Sequence, residues 1–136
     1  MNNRTATDRK RILIADENAE VTEVLAGHLK DRYEVEVALD GRDAINAVIL
    51  RRPDLVFLDV NMARVTGVVV LKHIKAIDTN IPVIMVTADT RTNIVADALR
   101  LGALGYVPKP FDIRYLQHVV AMAFERPRDP GAPAAP

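Results

Sequence analysis

The sequence predicts a single α/β domain of the (βα)5 type, a doubly wound parallel sheet with helices on both faces. Three observations carry that prediction. Short apolar runs at residues 11–15, 33–38, 55–59, 81–87 and 105–107 alternate with longer stretches of helical periodicity at 19–31, 42–51, 65–77, 93–101 and 113–124. Three of the runs, Ile12-Leu13-Ile14, Leu55-Val56-Phe57-Leu58 and Val83-Ile84-Met85-Val86, are continuously apolar, the texture of strands buried on both faces. Finally, 136 residues with 49% hydrophobic content make one domain able to bury a core.

Strict alternation of strand and helix implies right-handed crossovers and hence parallel neighbours. The three apolar runs belong in the middle of the sheet. Tyr33-Glu34-Val35-Glu36-Val37 alternates, and Gly105-Tyr106-Val107-Pro108 is short and ends in proline, so both read as edges. These textures match the flavodoxin-like strand order 2-1-3-4-5. In the first helix Val21, Val24, Leu25 and Leu29 form one stripe, with Glu20, Glu23 and Lys30 on the wet side. The second helix follows an Asp40-Gly41 turn and stops before Pro53. Gly102 is placed to close the fourth helix in a left-handed cap, and Asp112 to cap the start of the fifth.

The ends differ from the middle. Residues 1–9 are polar and 127–136 are rich in Pro and Ala without an apolar pattern, so both are expected to be disordered tails, leaving 10–126 as the folded unit. The 18 basic and 18 acidic residues cancel, which removes any global pull toward nucleic acid or an anionic membrane. Cysteine is absent, so disulfides and thiolate metal sites are excluded. The N-terminus lacks a signal-peptide core, and no apolar run approaches the ~20 residues that span a bilayer. A cytoplasmic protein without direct nucleic-acid or membrane partners is expected.

Ligands of such sheets bind beyond the carboxyl ends of the strands, where strand order reverses. Strand one ends in Asp16-Glu17 and strand three in Asp59, so neighbouring strands ~4.8 Å apart deliver three carboxylates to one rim. Such crowding pushes at least one pKa upward unless a cation neutralises it. Oxygen ligands without Cys or His favour a hard ion, and a site with few protein ligands suits Mg²⁺. Strand four ends in Thr87 and strand five is followed by Lys109, a hydroxyl and an ammonium with no use for a bare cation. Together with the metal they fit a phosphoryl group, with Asp59 as the attacking carboxylate.

Four strings, each at a strand's carboxyl end, now define a pattern: Ile12-Leu13-Ile14-Ala15-Asp16-Glu17, Asp59-Val60-Asn61-Met62 with Gly67 eight positions after the aspartate, Val86-Thr87-Ala88, and Lys109-Pro110-Phe111. Across residues 10–124 the chain resembles the bacterial two-component response-regulator receiver domain, the CheY-like family. The resemblance implies that Asp59 accepts phosphate from a sensor histidine kinase or phosphotransfer protein. Glu17, Asp59 and the Asn61 carbonyl would ligate Mg²⁺, with Asp16 acting through a metal-bound water. Thr87 and Tyr106 resemble the switch pair that remodels the face formed by helix four, strand five and helix five, and Lys109 would pair with the phosphoryl oxygens. The Lys109-Pro110 bond is a candidate cis peptide. Asn61 and Asp89 occupy the positions that tune phosphate lifetime in the family. The chain would act as a phosphoacceptor that catalyses its own phosphorylation and dephosphorylation rather than as a turnover enzyme.

Two departures bear on this. Glu17 stands where the family usually has aspartate, and Ala63 replaces the usual proline, freeing a φ in the loop after strand three. They leave open an alternative, a receiver-like interaction module that binds partners without accepting phosphate. A nucleotide-binding enzyme is disfavoured because the turn after strand one, Asp16-Glu17-Asn18, has no glycine to cradle phosphates. His28, His73 and His118 lie on separate helices at no metal spacing and read as surface or boundary residues. Arg4, Arg9, Lys10 and Arg11 read as a solvated basic stretch, and Met62, Met85 and Met122 as loop or core fillers. No output domain is recognisable after Phe124, so a downstream protein target is expected. Arg100, Tyr106, Arg114 and His118 are the contact candidates, and the same face could join two copies in a homodimer.

Overall fold

The computed structural model describes residues 9–62, 64–88 and 92–125. The expectations for Arg4, Ala63, Asp89 and the terminal segments 1–8 and 126–136 lie outside the described residues. The strands are β1 (Arg11–Ala15), β2 (Glu34–Ala38), β3 (Leu55–Leu58), β4 (Val83–Thr87) and β5 (Gly105–Pro108). The helices are α1 (Ala19–Leu29), α2 (Gly41–Leu50), α3 (Gly67–Ile77), α4 (Thr92–Arg100) and α5 (Ile113–Glu125). All neighbouring strands pair in parallel in the order β2-β1-β3-β4-β5. The expected topology and both edge assignments are therefore found.

Alternation along each central strand feeds two apolar layers. Leu13, Val56, Leu58, Val83 and Met85 point toward α2, α3 and α4, where they meet Val48, Leu71, Ile74 and Ala98. Ile12, Ile14, Phe57, Ile84 and Val86 point the other way, onto Leu25, Leu29, Leu116 and Val120 of α1 and α5. Every residue of β3 and β4 is buried, as continuously apolar strands require.

Several boundaries shift for local reasons. Pro82 cannot donate to a ladder, and β4 begins after it rather than at Ile81. Thr66 caps α3 through its hydroxyl, which accepts from Val69 N–H at 3.4 Å, so Val65 stays outside the helix. Asp40 caps α2, accepting from Asp43 N–H at 2.8 Å, and Gly41 is the first helical residue rather than part of a free turn. The caps expected at the other helix ends are present: Asp112 Oδ1 accepts from Arg114 N–H at 2.8 Å, and Gly102 sits at φ 107° just beyond α4.

Three side-chain expectations need correction. Val24 is half-exposed, and Thr22 takes its place against the sheet, its hydroxyl satisfied by Ala19 O at 2.8 Å. Met122 faces solvent, unlike the buried Met62 and Met85. In the basic stretch Arg9 and Lys10 are exposed as expected, Arg9 donating to Lys30 O and Lys10 lying over the Phe124 ring, whereas Arg11 is half-buried and pairs with Glu34.

Candidate functional site

The rim is an extension of the sheet by one residue per strand. Asp16 N–H donates to Ala38 O at 3.0 Å, Asp59 N–H to Ala15 O at 2.9 Å and Lys109 N–H to Thr87 O at 2.9 Å. Each bond carries on the pairing of the strand before it, so backbone hydrogen bonding places these residues side by side. Asp16, Asp59 and Thr87 are 2%, 5% and 1% exposed, unusually low for two acids and a threonine.

Lys109 reaches from the far end of the chain into the acidic pair. Its Nζ lies 2.6 Å from Asp16 Oδ2 and 3.5 Å from Asp59 Oδ2. The other Asp16 oxygen accepts the Asn18 N–H at 2.9 Å. Asp59 keeps a carboxyl pKa above its ordinary value. Burial is the largest cause and the Asp16 charge the next, opposed by Lys109 and by the Asn61 N–H. The crowding anticipated from sequence does raise one carboxyl, and desolvation outweighs it.

The remaining acid behaves differently. Glu17 is exposed, as is Asn61, and among the described residues no three Asp, Glu or His side chains stand close enough to hold a metal ion. The structure thus brings together Asp16, Asp59 and Lys109, with Glu17 and Asn61 on the adjoining turns. The donor set nevertheless fits a hard divalent cation: it offers carboxylate and carbonyl oxygens without nitrogen or sulfur, around an Asp59 short of positive charge.

Gly67 fixes where the loop after β3 returns. Its N–H donates to Val60 O at 2.7 Å, and a Cβ there would stand 2.0 Å from Asp59 O. The eight-residue spacing from Asp59 therefore has a packing cause. On the other side of the site, Met85 pairs with Tyr106 and Thr87 with Pro108 across β4 and β5. Thr87 and Tyr106 line one small apolar recess with Val60, Met85, Ile94 and Ala98, with a cavity volume of about 10 Å³. Tyr106 is 37% exposed at its mouth. Lys109-Pro110 is cis. His28, His73 and His118 are exposed and remote from one another in sequence, on α1, α3 and α5.

Two contributors lie outside the sequence expectations. Asn18 caps α1 and holds Asp16 through its amide; an Asn directly before a periodic apolar run is the signal that marks it. Arg64 adopts φ 71° in the loop between Asn61 and Gly67, a conformation that residue type does not announce.

Comparison with known proteins agrees with this geometry. Residues 12–121 match the family model described as the response regulator receiver domain. The transcriptional regulatory protein ZraR of Salmonella typhimurium is 36% identical over 122 residues, 89% of this chain and 28% of that protein. Sporulation initiation phosphotransferase F of Bacillus subtilis is 36% identical over 112 residues, covering 82% of this chain and 90% of that one. Among solved structures, the receiver domain of NtrX from Brucella abortus superposes with a TM-score of 0.80 at 32% identity, over 85% of this chain and 99% of that chain. The chain belongs to the response-regulator receiver family of two-component signalling, with the CheY-like arrangement of five strands and five helices. It spans only 28% of the length of the ZraR relative. Among the described residues, no helix is long and apolar enough to cross a membrane.

Proposed function

We propose that Asp59 is the phosphoacceptor of a two-component phosphorelay, receiving its phosphoryl group from the phosphohistidine of a sensor histidine kinase or phosphotransfer protein. The observation that carries this reading is the convergence of Lys109 Nζ on the buried Asp16 and Asp59, 2.6 and 3.5 Å away, at the edge where β4 ends in Thr87. A structural ion pair needs one carboxylate; a second, buried and with a raised pKa, is a group poised for chemistry.

In this reading an Asp59 carboxylate oxygen attacks phosphorus, the phosphorus–nitrogen bond to the donor imidazole breaks, and the imidazole leaves with a proton. Asp16, Glu17, Asp59 and the Asn61 carbonyl would hold Mg²⁺, which when bound would offset the negative charge of the carboxylates and the phosphoryl oxygens. Lys109 turns from the carboxylates to a phosphoryl oxygen, and the Thr87 hydroxyl donates to another. Drawing Thr87 toward the phosphoryl group opens the recess it shares with Tyr106, and the aromatic ring turns in to fill it. That movement changes the exposed face of α4, β5 and α5, where Arg100, Arg114 and His118 are also exposed.

The switched face binds a downstream protein target or a second copy of the chain, and no direct contact with nucleic acid or membrane is required. Residues 10–126 form the functional unit, acting in the cytoplasm as a self-phosphorylating and self-dephosphorylating acceptor rather than a turnover enzyme. Incubation with Mg²⁺ and acetyl phosphate, followed by intact-mass measurement, tests the reading. One added phosphate, lost in Asp59→Asn, is the expected result. No adduct, or an adduct that survives Asp59→Asn, would favour the interaction module that binds without phosphorylation.

A further inference from the structure

We infer that Asn18 is a positioning residue of the phosphoacceptor pocket, holding the Asp16 carboxylate through its main-chain amide while its side chain locks that amide onto the first turn of α1. The inference rests on the proposed role of Asp16 beside a bound Mg²⁺.

Asp16 is 2% exposed, so bulk solvent does not set its orientation. Two protein groups do: Asn18 N–H on Oδ1 at 2.9 Å and Lys109 Nζ on Oδ2 at 2.6 Å. They differ in permanence. The ammonium rides on a flexible four-carbon arm, also lies 3.5 Å from Asp59, and is the group drawn away when a phosphoryl group arrives. Once it moves, the Asn18 amide still restrains Asp16.

That amide is itself fixed by the helix. Asn18 Oδ1 accepts from Glu20 N–H at 2.9 Å and from Val21 N–H at 3.3 Å, while its carbonyl accepts from Thr22 N–H at 3.1 Å. These bonds hold Asn18 at φ −85° and ψ 107°, the extended geometry of a cap, which aims its N–H back at Asp16. The helix is anchored in turn by Leu25 and Leu29 in the apolar layer. A continuous path therefore runs from the core through α1 and Asn18 to the buried acid. Glu17, lying between two restrained residues, starts from a defined backbone position although its side chain is exposed. The Asp40 and Thr66 caps also order their helices, each side chain accepting from an amide of its own first turn.

A residue that only capped a helix would affect stability and leave cation binding alone. The test is Mg²⁺ titration by isothermal calorimetry, paired with thermal unfolding, on the wild-type chain, Asn18→Ala, Asn18→Gly, Asn18→Ser and Val120→Ala. Asn18→Ala is expected to lower Tm and to weaken Mg²⁺ binding by about tenfold, the usual scale for losing a group that orients a ligand. Asn18→Gly keeps most of the fold's stability but lacks the side-chain lock, so it should weaken Mg²⁺ similarly even if the alanine variant folds poorly. Asn18→Ser, whose hydroxyl can cap, should restore both Tm and Mg²⁺ affinity. Val120→Ala, a core truncation in α5, should lower Tm and bind Mg²⁺ as the wild type does. Wild-type affinity in Asn18→Ala or Asn18→Gly would overturn the inference, as would an equal loss of affinity in Val120→Ala, or a serine variant that regains Tm without affinity. A wild-type chain that binds no Mg²⁺ would instead overturn the metal pocket itself, and the inference with it.

Discussion

Asp59 holds its carboxyl in a buried place beside another acid, and its raised pKa has a direct consequence for stability. A carboxyl whose folded pKa lies above the unfolded value favours the protonated form on folding. Its contribution is fully present below the ordinary value of 3.8 and is lost as pH rises through the raised value. At neutral pH without divalent ions the folded domain therefore carries a penalty that Asp59→Asn removes. Thermal unfolding should give a higher Tm for Asp59→Asn than for wild type at pH 7 in chelator, with the gap narrowing as pH falls toward the ordinary carboxylate range. A second residue-scale effect concerns Arg64, held at φ 71°. Replacing it by glycine exchanges the left-handed cost of a side chain for the larger unfolded-state entropy of glycine, a net gain of about 0.5–1 kcal/mol measurable by urea unfolding. At this scale the identity of the site was legible, because carboxylate, hydroxyl and ammonium types are written in the sequence. The outward placement of Glu17 and the left-handed Arg64 were not, because both depend on how loops close rather than on residue type.

Among the elements, β3 and α3 approach each other closely where Gly67 meets the end of the strand. Gly67 leaves no room for a methyl group against Asp59 O, and its own N–H is spent on Val60 O. Gly67→Ala should cost about 1–3 kcal/mol by forcing the loop away from the strand, and it should slow phosphorylation by acetyl phosphate because Asp59 moves with its carbonyl. Urea unfolding and the rate of phosphate incorporation check the two halves separately. On the opposite layer, Leu116 is fully buried against Ile12, Phe57 and Val86 in the α5 cluster. Leu116→Ala should cost about 2–5 kcal/mol while leaving the rim's ion pair in place. Element type and order followed from texture: β1, β3 and β4 had to be central because nothing polar interrupts them, and β2 and β5 announced themselves as edges. Element ends were harder to read. Thr66 and Asp40 decide the starts of α3 and α2 through single side-chain hydrogen bonds, and Thr22 is buried while Val24 is exposed, a burial open to threonine because its hydroxyl bonds Ala19 O within the helix.

For the molecule as a whole, the sheet explains why four separated strings of sequence meet at one edge. Parallel strands bring all their carboxyl ends to the same edge, and the reversal of order between β1 and β3 leaves room there for a ligand. The recess shared by Thr87 and Tyr106 lies between that edge and the outer side of α4 and β5, and in the proposed function it is the route by which a partner that never touches Asp59 would read out its chemistry. The central claim is that Asp59 carries the phosphoryl group. Borohydride reduces an aspartyl phosphate to homoserine, so peptide mass spectrometry after treatment with acetyl phosphate, Mg²⁺ and borohydride reads the position directly. The account predicts homoserine at position 59 and nowhere else, dependent on Mg²⁺. An unmodified Asp59, or conversion at another acid such as Asp16, would contradict it.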